Sequence, residues 1–177
     1  MKIVSLDQDQ FKGYEIDVSY QTKHVYLVKI KKSKHIELTI KKKRIFRNKE
    51  RSFKMNLFES YIDNSDVFGI FERKKLVAVI EGSLETWNNT YRIWNLFVSK
   101  RHRKEGFATA LYAHIEKQAL SLGARAIILE VQSCNGPAIS FYEKQGLHFV
   151  GLNTLAYTNE DVQRKEVRLE YGKRLKK

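Results

Sequence analysis

Apolar and polar positions alternate along this chain with a period that changes several times, and each change marks an element. In HIELTIK (35–41), Ile36, Leu38 and Ile40 alternate with Glu37, Thr39 and Lys41, the period of two expected of a half-buried strand. HVYLVKI (24–30) is equally rich in β-branched and apolar residues, so the two segments predict a hairpin turning through 31–34. Between 46 and 62, Phe53, Leu57, Phe58, Tyr61 and Ile62 recur at spacings of three and four, which predicts a helix with one apolar face, stopped by Asp63-Asn64-Ser65-Asp66. VFGIFE (67–72) and LVAVIEG (76–82) flank charged turn residues and predict a second hairpin. After the loop ETWNNT (85–90), YRIWNLFV (91–98) is continuous enough in apolar and aromatic residues for a central strand. Phe107, Leu111, Ile115 and Leu122 give a helical spacing over 104–122, with Gly123 placed as a left-handed cap. A buried strand (AIILEV, 126–131) follows, then a short helix over 136–145 with Pro137 in its first turn and Gly146 at its end. LHFVG (147–151) and KEVRLEYG (165–172) close the chain as strands, the latter turning Val167, Leu169 and Tyr171 inward.

A chain of 177 residues, 42% hydrophobic and 12% aromatic, suits one compact domain over 1–177: a basic hairpin and helix in 1–65 and a core in 66–172. No apolar run approaches the ~18 residues of a membrane-spanning helix, and the opening MKIVSLDQDQ lacks the profile of a signal peptide. A cytoplasmic protein without membrane attachment is expected. The single cysteine, Cys134, excludes an internal disulfide and a cysteine-rich zinc site and reads as a packing residue; the five histidines have no metal-ligand spacing, so no metal is expected.

Charge changes this picture more than composition does. There are 33 Lys+Arg against 20 Asp+Glu, a net of +13, with a sequence pI near 9.7. Between 23 and 54 lie 13 basic and 2 acidic residues, so +11 of the excess sits in that stretch. The segment reads as a solvated face, as a grip for an acidic partner, or as a guide for a polyanionic ligand. Nucleic acid is a partner the charge allows but the rest of the sequence does not favour.

The chemistry concentrates in two stretches. FVSKRHRKEGFATAL (97–111) runs from a strand through a loop into a helix, with Arg103, Gly106 and Ala108 in the spacing Arg-x-x-Gly-x-Ala. A strand ending against a helix N-terminus collects backbone N–H groups in one concavity, and the helix dipole reinforces them, so a pyrophosphate can be held by main chain. Small residues at 106 and 108 let such a ligand approach. Neither the Gly-Lys-Ser/Thr of nucleotide-triphosphate loops nor a Gly-x-Gly-x-x-Gly is present. The second stretch, SCNGPAISFYEKQGLHFVG (133–151), places Asn135 after a strand and Ala138, Phe141 and Tyr142 in the short helix.

These two motifs, in this order and separation, resemble the GCN5-related N-acetyltransferase (GNAT) family over 66–172. Trp87-Asn88 before the central strand and Thr154-Leu155-Ala156-Tyr157-Thr158-Asn159 near the end are most similar to its streptothricin acetyltransferase branch. The resemblance implies an α/β (α+β) fold with a mixed, mostly antiparallel central sheet and helices on both faces. It implies an enzyme moving an acetyl group from acetyl-CoA to a primary amine of a small molecule, such as a streptothricin-type antibiotic, or of a protein. Arg103, Lys104, Glu105, Gly106, Phe107, Ala108 and Thr109 would hold the pyrophosphate of acetyl-CoA. The main chain of Leu96, Phe97 and Val98 would pair with the pantetheine arm, Asn135 would hydrogen-bond it with Ala138 alongside, and Tyr142 would face the sulfur. In such a transfer a neutral amine attacks a thioester carbonyl, a backbone N–H near Phe97 or Val98 stabilises the oxyanion, and a tyrosine hydroxyl protonates the leaving sulfur. The branch carries a Glu-Asp pair in its central strand where this chain has Trp94-Asn95, so the candidate bases are Glu81, then Glu85. A binding module, using the basic segment on nucleic acid or an acidic protein, is the alternative reading. A homodimer is compatible with the sequence.

Overall fold

The computed structural model describes residues 1–176, the side chains of 47–49 excepted. Its elements are β1 (Val4–Ser5), α1 (Gln8–Phe11), β2 (Glu15–Lys32), β3 (Ile36–Asn56), β4 (Asp66–Glu72), β5 (Lys75–Glu85), β6 (Thr90–Val98), α2 (Phe107–Ser121), β7 (Ala126–Gln132), α3 (Gly136–Lys144), β8 (His148–Asn153), α4 (Asp161–Arg164) and β9 (Arg168–Arg174). They form two compact units. The first comprises Met1–Val18, Phe53–Leu129 and Lys173–Lys177; the second comprises Ser19–Ser52 and Glu130–Gly172.

In the first unit the strand order is β1-β4-β5-β6-β7. The pairs from β1 to β6 are antiparallel and β6 pairs with β7 in parallel, so the sheet is mixed and mostly antiparallel, as expected. The β4–β5 hairpin turns on Arg73 and Lys74, both with positive φ (45° and 69°), the geometry whose twist matches paired strands. Helix α2 packs on β4, β5 and β6. It buries Leu111, Ile115 and Ala119, about one turn apart along one face, with Tyr112 beside them, and the chain leaves it through Gly123 at φ 73°.

The sequence expectation fails at 46–62: β3 continues to Asn56, so no helix forms there. Lys and Arg recur through this stretch at spacings of three and four, where a helix would stack like charges. The hairpin instead pairs the backbone of β3 with β2. The apolar residues that suggested a helix face separate. Leu57, Phe58 and Ile62 are buried where the chain turns, whereas Tyr61 is 70% exposed. Leu57 and Phe58 join Leu6, Ile16, Val67, Leu76 and Val79 in one core cluster. Each such burial contributes about 1.5–3 kcal/mol.

In the second unit β9 lies between β7 and β8, antiparallel to β8. Val167, Leu169 and Tyr171 are buried as the alternation predicted. The loop before α4 closes on Asp161, which is 0% exposed. Its carboxylate accepts from the N–H groups of Tyr157 (3.0 Å) and Thr158 (2.8 Å) and from the Thr158 hydroxyl (2.8 Å). Burial pushes its pKa up, but these donors outweigh burial and hold it below the usual aspartate value.

The register of β5 against β6 runs Glu81↔Asn95, then Gly82↔Ile93, so Trp94 is an extra residue in the central strand. Gly82 makes room for this bulge. A Cβ there would collide with the Tyr91 ring and lie 2.8 Å from the Arg92 carbonyl and 3.0 Å from Ile115 Cδ1. Gly82→Ala should therefore lose about 1–3 kcal/mol of unfolding free energy in a urea titration, whereas an alanine at Gly123 would instead be strained by backbone conformation. Asp161→Asn should lower Tm at pH 7, because its amide would set a donor against the Tyr157 N–H. A group with a depressed folded pKa stabilises above its unfolded value, near 4, and that contribution fades as pH falls through the lower folded value. The Tm gap between wild type and variant should accordingly narrow below about pH 4.

Candidate active site

Within the first unit, strand β6 is bonded unequally on its two edges. Towards β5 its register continues to Val98, through Ile80↔Leu96, Val79↔Phe97 and Ala78↔Val98. Towards β7 the register stops at Ile93↔Leu129. The β7-side main chain of Trp94–Val98, including the predicted Leu96, Phe97 and Val98, therefore has no register partner among the described residues. An extended ligand carrying amide groups could pair there as an added strand.

The strand leads directly into the predicted anion loop. Ser99 N–H donates to the Val77 carbonyl (2.8 Å), fixing the end of β6 against β5. The Ser99 hydroxyl lies 2.6 Å from His102 Nδ1, and His102 Nε2 lies 3.2 Å from Glu72 Oε2. The His102 ring stacks on Phe107, centroids 5.7 Å apart at 13°. Arg103 Nε donates to the Val98 carbonyl (3.1 Å), bracing the loop from inside. Lys104 (φ 71°) and Gly106 (φ 86°) are both left-handed, which folds the chain back onto the start of α2. Lys104, Glu105, Gly106 and Thr109 are exposed, with Phe107 and Ala108 half-buried.

The first intrahelical bond of α2 runs from Ala110 N–H to the Gly106 carbonyl (3.0 Å). The N–H groups of Phe107, Ala108 and Thr109 thus have no helix carbonyl to bond, the usual condition of a helix start. No heavy atom lies within 4 Å of where a Cβ on Gly106 would be. The loop therefore offers open space, orphan N–H donors, a helix dipole and the side chains of Lys100, Arg101, Arg103 and Lys104, the donor set a pyrophosphate requires. It fits acetyl-CoA at that group.

The bulge at Trp94 reverses the facing of the strand beyond it. Tyr91 and Ile93 are buried, and Tyr91 meets the α2 side near Gly82. Asn95, on the far side of the bulge, instead meets Glu81 on the opposite face. Sequence reading missed this reversal, although an isolated glycine inside the apolar run of β5 was a signal for it. Trp94 itself is half-buried. Its indole N–H donates to the Ser83 hydroxyl (2.9 Å), the Arg92 guanidinium lies 5.3 Å from its ring centre, and Tyr61 meets it edge-on at 6.0 Å.

The two candidate bases are both engaged. Glu81 is 0% exposed. Its Oε1 accepts from the Phe58 N–H (2.9 Å) and its Oε2 from the Asn95 amide (2.6 Å). Burial raises its pKa, opposed by these bonds. Asn95 keeps an unpartnered, buried Oδ1. Glu85 forms an ion pair with Arg92 (2.8 Å) and lies 3.0 Å from the Thr90 hydroxyl.

In the second unit, Asn135 caps α3, its Oδ1 accepting from the Ala138 N–H (3.2 Å). Gly136 is pressed against β2, where a Cβ would come 2.9 Å from the His24 carbonyl. Tyr142 is 9% exposed and lies edge-on to Phe141 at 5.4 Å. Burial pushes its pKa up to about 12, so the phenol keeps its proton at neutral pH. Cys134 is buried with its sulfur 3.4 Å from the Tyr20 hydroxyl, a packing site as expected.

Comparison with known proteins adds to this geometry. A streptothricin acetyltransferase of Streptomyces lavendulae is 35% identical over 75 residues, 42% of this chain and 40% of that protein, so the match spans less than half of that relative's length. The solved structure of a nourseothricin acetyltransferase has the same fold, at a TM-score of 0.75 and 21% identity over 98% of this chain and 97% of that one. So has a Bacillus anthracis protein solved in complex with acetyl coenzyme A, at 0.71 and 24% over 98% and 99%. The model of the Acetyltransferase (GNAT) family matches residues 36–147, most of the chain and both motif regions through Gly146. With the half-paired central strand leading into the loop at the start of α2, that match settles the kinship: this chain belongs to the GNAT acetyltransferase family.

Proposed function

We propose that this chain transfers an acetyl group from acetyl-CoA to a primary amine of a small molecule, with streptothricin-type antibiotics as the first acceptors to test. The observation that carries the reading is the free β6 edge at Trp94–Val98, which leads straight into the loop at the start of α2. Acetyl-CoA supplies a thioester whose carbonyl carbon is open to attack by an amine. In this reading the loop from Arg103 to Thr109 binds the pyrophosphate through main-chain N–H groups. The backbone of Leu96, Phe97 and Val98 aligns the pantetheine arm and offers an N–H to the carbonyl oxygen.

Tyr142 is the proposed acid. Its hydroxyl carries a proton at neutral pH that can be given to the departing sulfur. Asn135, with Ala138 beside it, is proposed to serve the pantetheine arm as well as capping α3. For Glu81 the proposed role is positioning. Its carboxylate is fully buried and both oxygens are bonded, so it fixes Asn95 and the Phe58 turn beside the bulge without touching the amine. Acceptor choice then falls to Trp94 and its neighbours, where the branch's acidic pair is replaced.

No helix among the described residues is long and apolar enough to cross a membrane. A cytoplasmic location, consistent with the cell's acetyl-CoA supply, is part of the proposal.

Acetyl-CoA at about 100 times its Kd should raise the unfolding free energy by roughly 2.7 kcal/mol, seen as a higher Tm; no shift at millimolar acetyl-CoA would sink the reading. Thiol release should depend on an added amine in a panel that includes streptothricin, polyamines and peptide N-termini. Tyr142→Phe should lower kcat by about a hundredfold or more with little change in acetyl-CoA affinity. Glu81→Gln should leave the shape of the kcat–pH profile intact while lowering Tm; loss of the acidic limb would make Glu81 the base.

A further inference from the structure

We propose that the far half of the β2–β3 ribbon is a binding face for the phosphate backbone of double-stranded nucleic acid, presented by Lys29, Lys31, Lys41 and Lys43. Residues 29–44 carry eight basic side chains and one acid, and every residue of this stretch except Ile40 is exposed. The ribbon has two different faces because side chains alternate along each strand. Lys31 reaches Glu37 across the ribbon (3.9 Å), which puts these odd-numbered positions on one face. Lys42 lies 5.7 Å from the Tyr26 ring, which puts the even-numbered positions on the other.

The odd face at this end carries the four lysines with Glu37 and Thr39. The even face carries Ile30, Ile36 and Leu38, exposed by 49%, 77% and 43%. Along each strand the lysines of the odd face are about 6.8 Å apart, and neighbouring strands are about 4.8 Å apart. The Lys31–Glu37 and Tyr26–Lys42 contacts share one register, in which Lys41 and Lys43 stand opposite Leu27 and Val25, so the four charges line one face over roughly 20 Å. Among the described residues, Lys31 is the member of the quartet with a carboxylate partner, and both ends of that pair are more than 65% exposed. Such a pair is screened and weak, so almost the whole positive charge is presented to solvent.

Charge complementarity selects a polyanion, and shape selects a duplex. The major groove admits a two-stranded β-ribbon, and cations displace condensed counterions from the phosphates on its walls. An anionic bilayer fits less well. With Ile30, Ile36 and Leu38 inserted, the quartet would point away from the headgroups. A second copy of the chain fits less well again, since it would bring two strongly positive ribbons together. This inference is independent of the acetyl-transfer reading, because it uses no residue of the proposed acetyl-CoA site.

The experiment is fluorescence anisotropy of a labelled duplex DNA of about 20 base pairs with the full chain, across a salt series. Four phosphate contacts predict a slope of log K against log salt near −3.6, a loss of roughly a hundredfold between 50 and 200 mM. The quadruple variant Lys29→Gln, Lys31→Gln, Lys41→Gln, Lys43→Gln should abolish binding. Ile36→Ser with Leu38→Ser, on the other face, should bind like wild type. A single cooperative thermal transition and a far-UV circular dichroism spectrum like those of wild type show that each variant is folded. The inference is overturned if the duplex does not bind, if binding ignores salt, or if the quadruple variant binds like wild type. It is equally overturned if phosphatidylserine vesicles bind in place of DNA and the serine variant loses them, or if the ribbon proves to be covered in a dimer.

Discussion

The unequal bonding of β6 is the constraint on which the first unit turns. A strand in the middle of a sheet ordinarily spends its N–H and C=O groups on both neighbours, and leaving one edge unpaired in a folded interior is costly. Here the cost is confined to the last five residues, and the remainder of the strand is over-secured. Tyr91 donates to Asp66 Oδ2 (2.8 Å) while Gln118 of α2 donates to Asp66 Oδ1 (3.2 Å), so one carboxylate joins β4, β6 and the helix. The start of the strand is held as well: Arg125 bonds the Asn88 and Asn89 carbonyls, and Asn89 bonds the Gly123 carbonyl. The free edge is thus carried by a rail that cannot drift.

Buried carboxylates recur as clamps. Buried Glu81 and half-buried Asp66 in the first unit each accept from donors on two different segments, and buried Asp161 in the second accepts from two adjacent residues of the loop before α4. A buried carboxylate is tolerable only when its lone pairs are filled, and once filled it ties those segments more tightly than an apolar contact would. Glu81, a base candidate by residue type, has both carboxylate oxygens bonded inside the fold.

Much of the fold could be read along the chain because its elements obey a local period. The β4–β5 hairpin, α2 with Gly123 after it, α3 with Pro137 and the buried face of β9 all follow from alternation, caps and turn residues that need no distant partner. The loop from Arg103 to Ala108 was legible only in part: its glycine and small residues stand in the sequence, but the helix expected from 104 begins at Phe107, and nothing in a lysine's residue type announces the left-handed Lys104. The helix expected over 46–62 failed because its apolar spacing was real but its charges and its pairing partner, thirty residues earlier, decided otherwise. The bulge at Trp94 was invisible for a related reason: it exists only in the register between β5 and β6. The roles of Glu81 and Asn95 went out of view with it, as each is defined by a partner on the other strand.

That bulge also divides what the scaffold needs from what an acceptor could meet. Gly82 has no freedom to vary, because every alternative collides with Tyr91 and the Arg92 carbonyl. Trp94 is the residue without a register partner, so its side chain can be exchanged at little expense to the ladder. Drift at position 94 could therefore retarget such an enzyme while leaving its sheet untouched, and the departure from an acidic pair in this chain is the sort of change that arrangement permits.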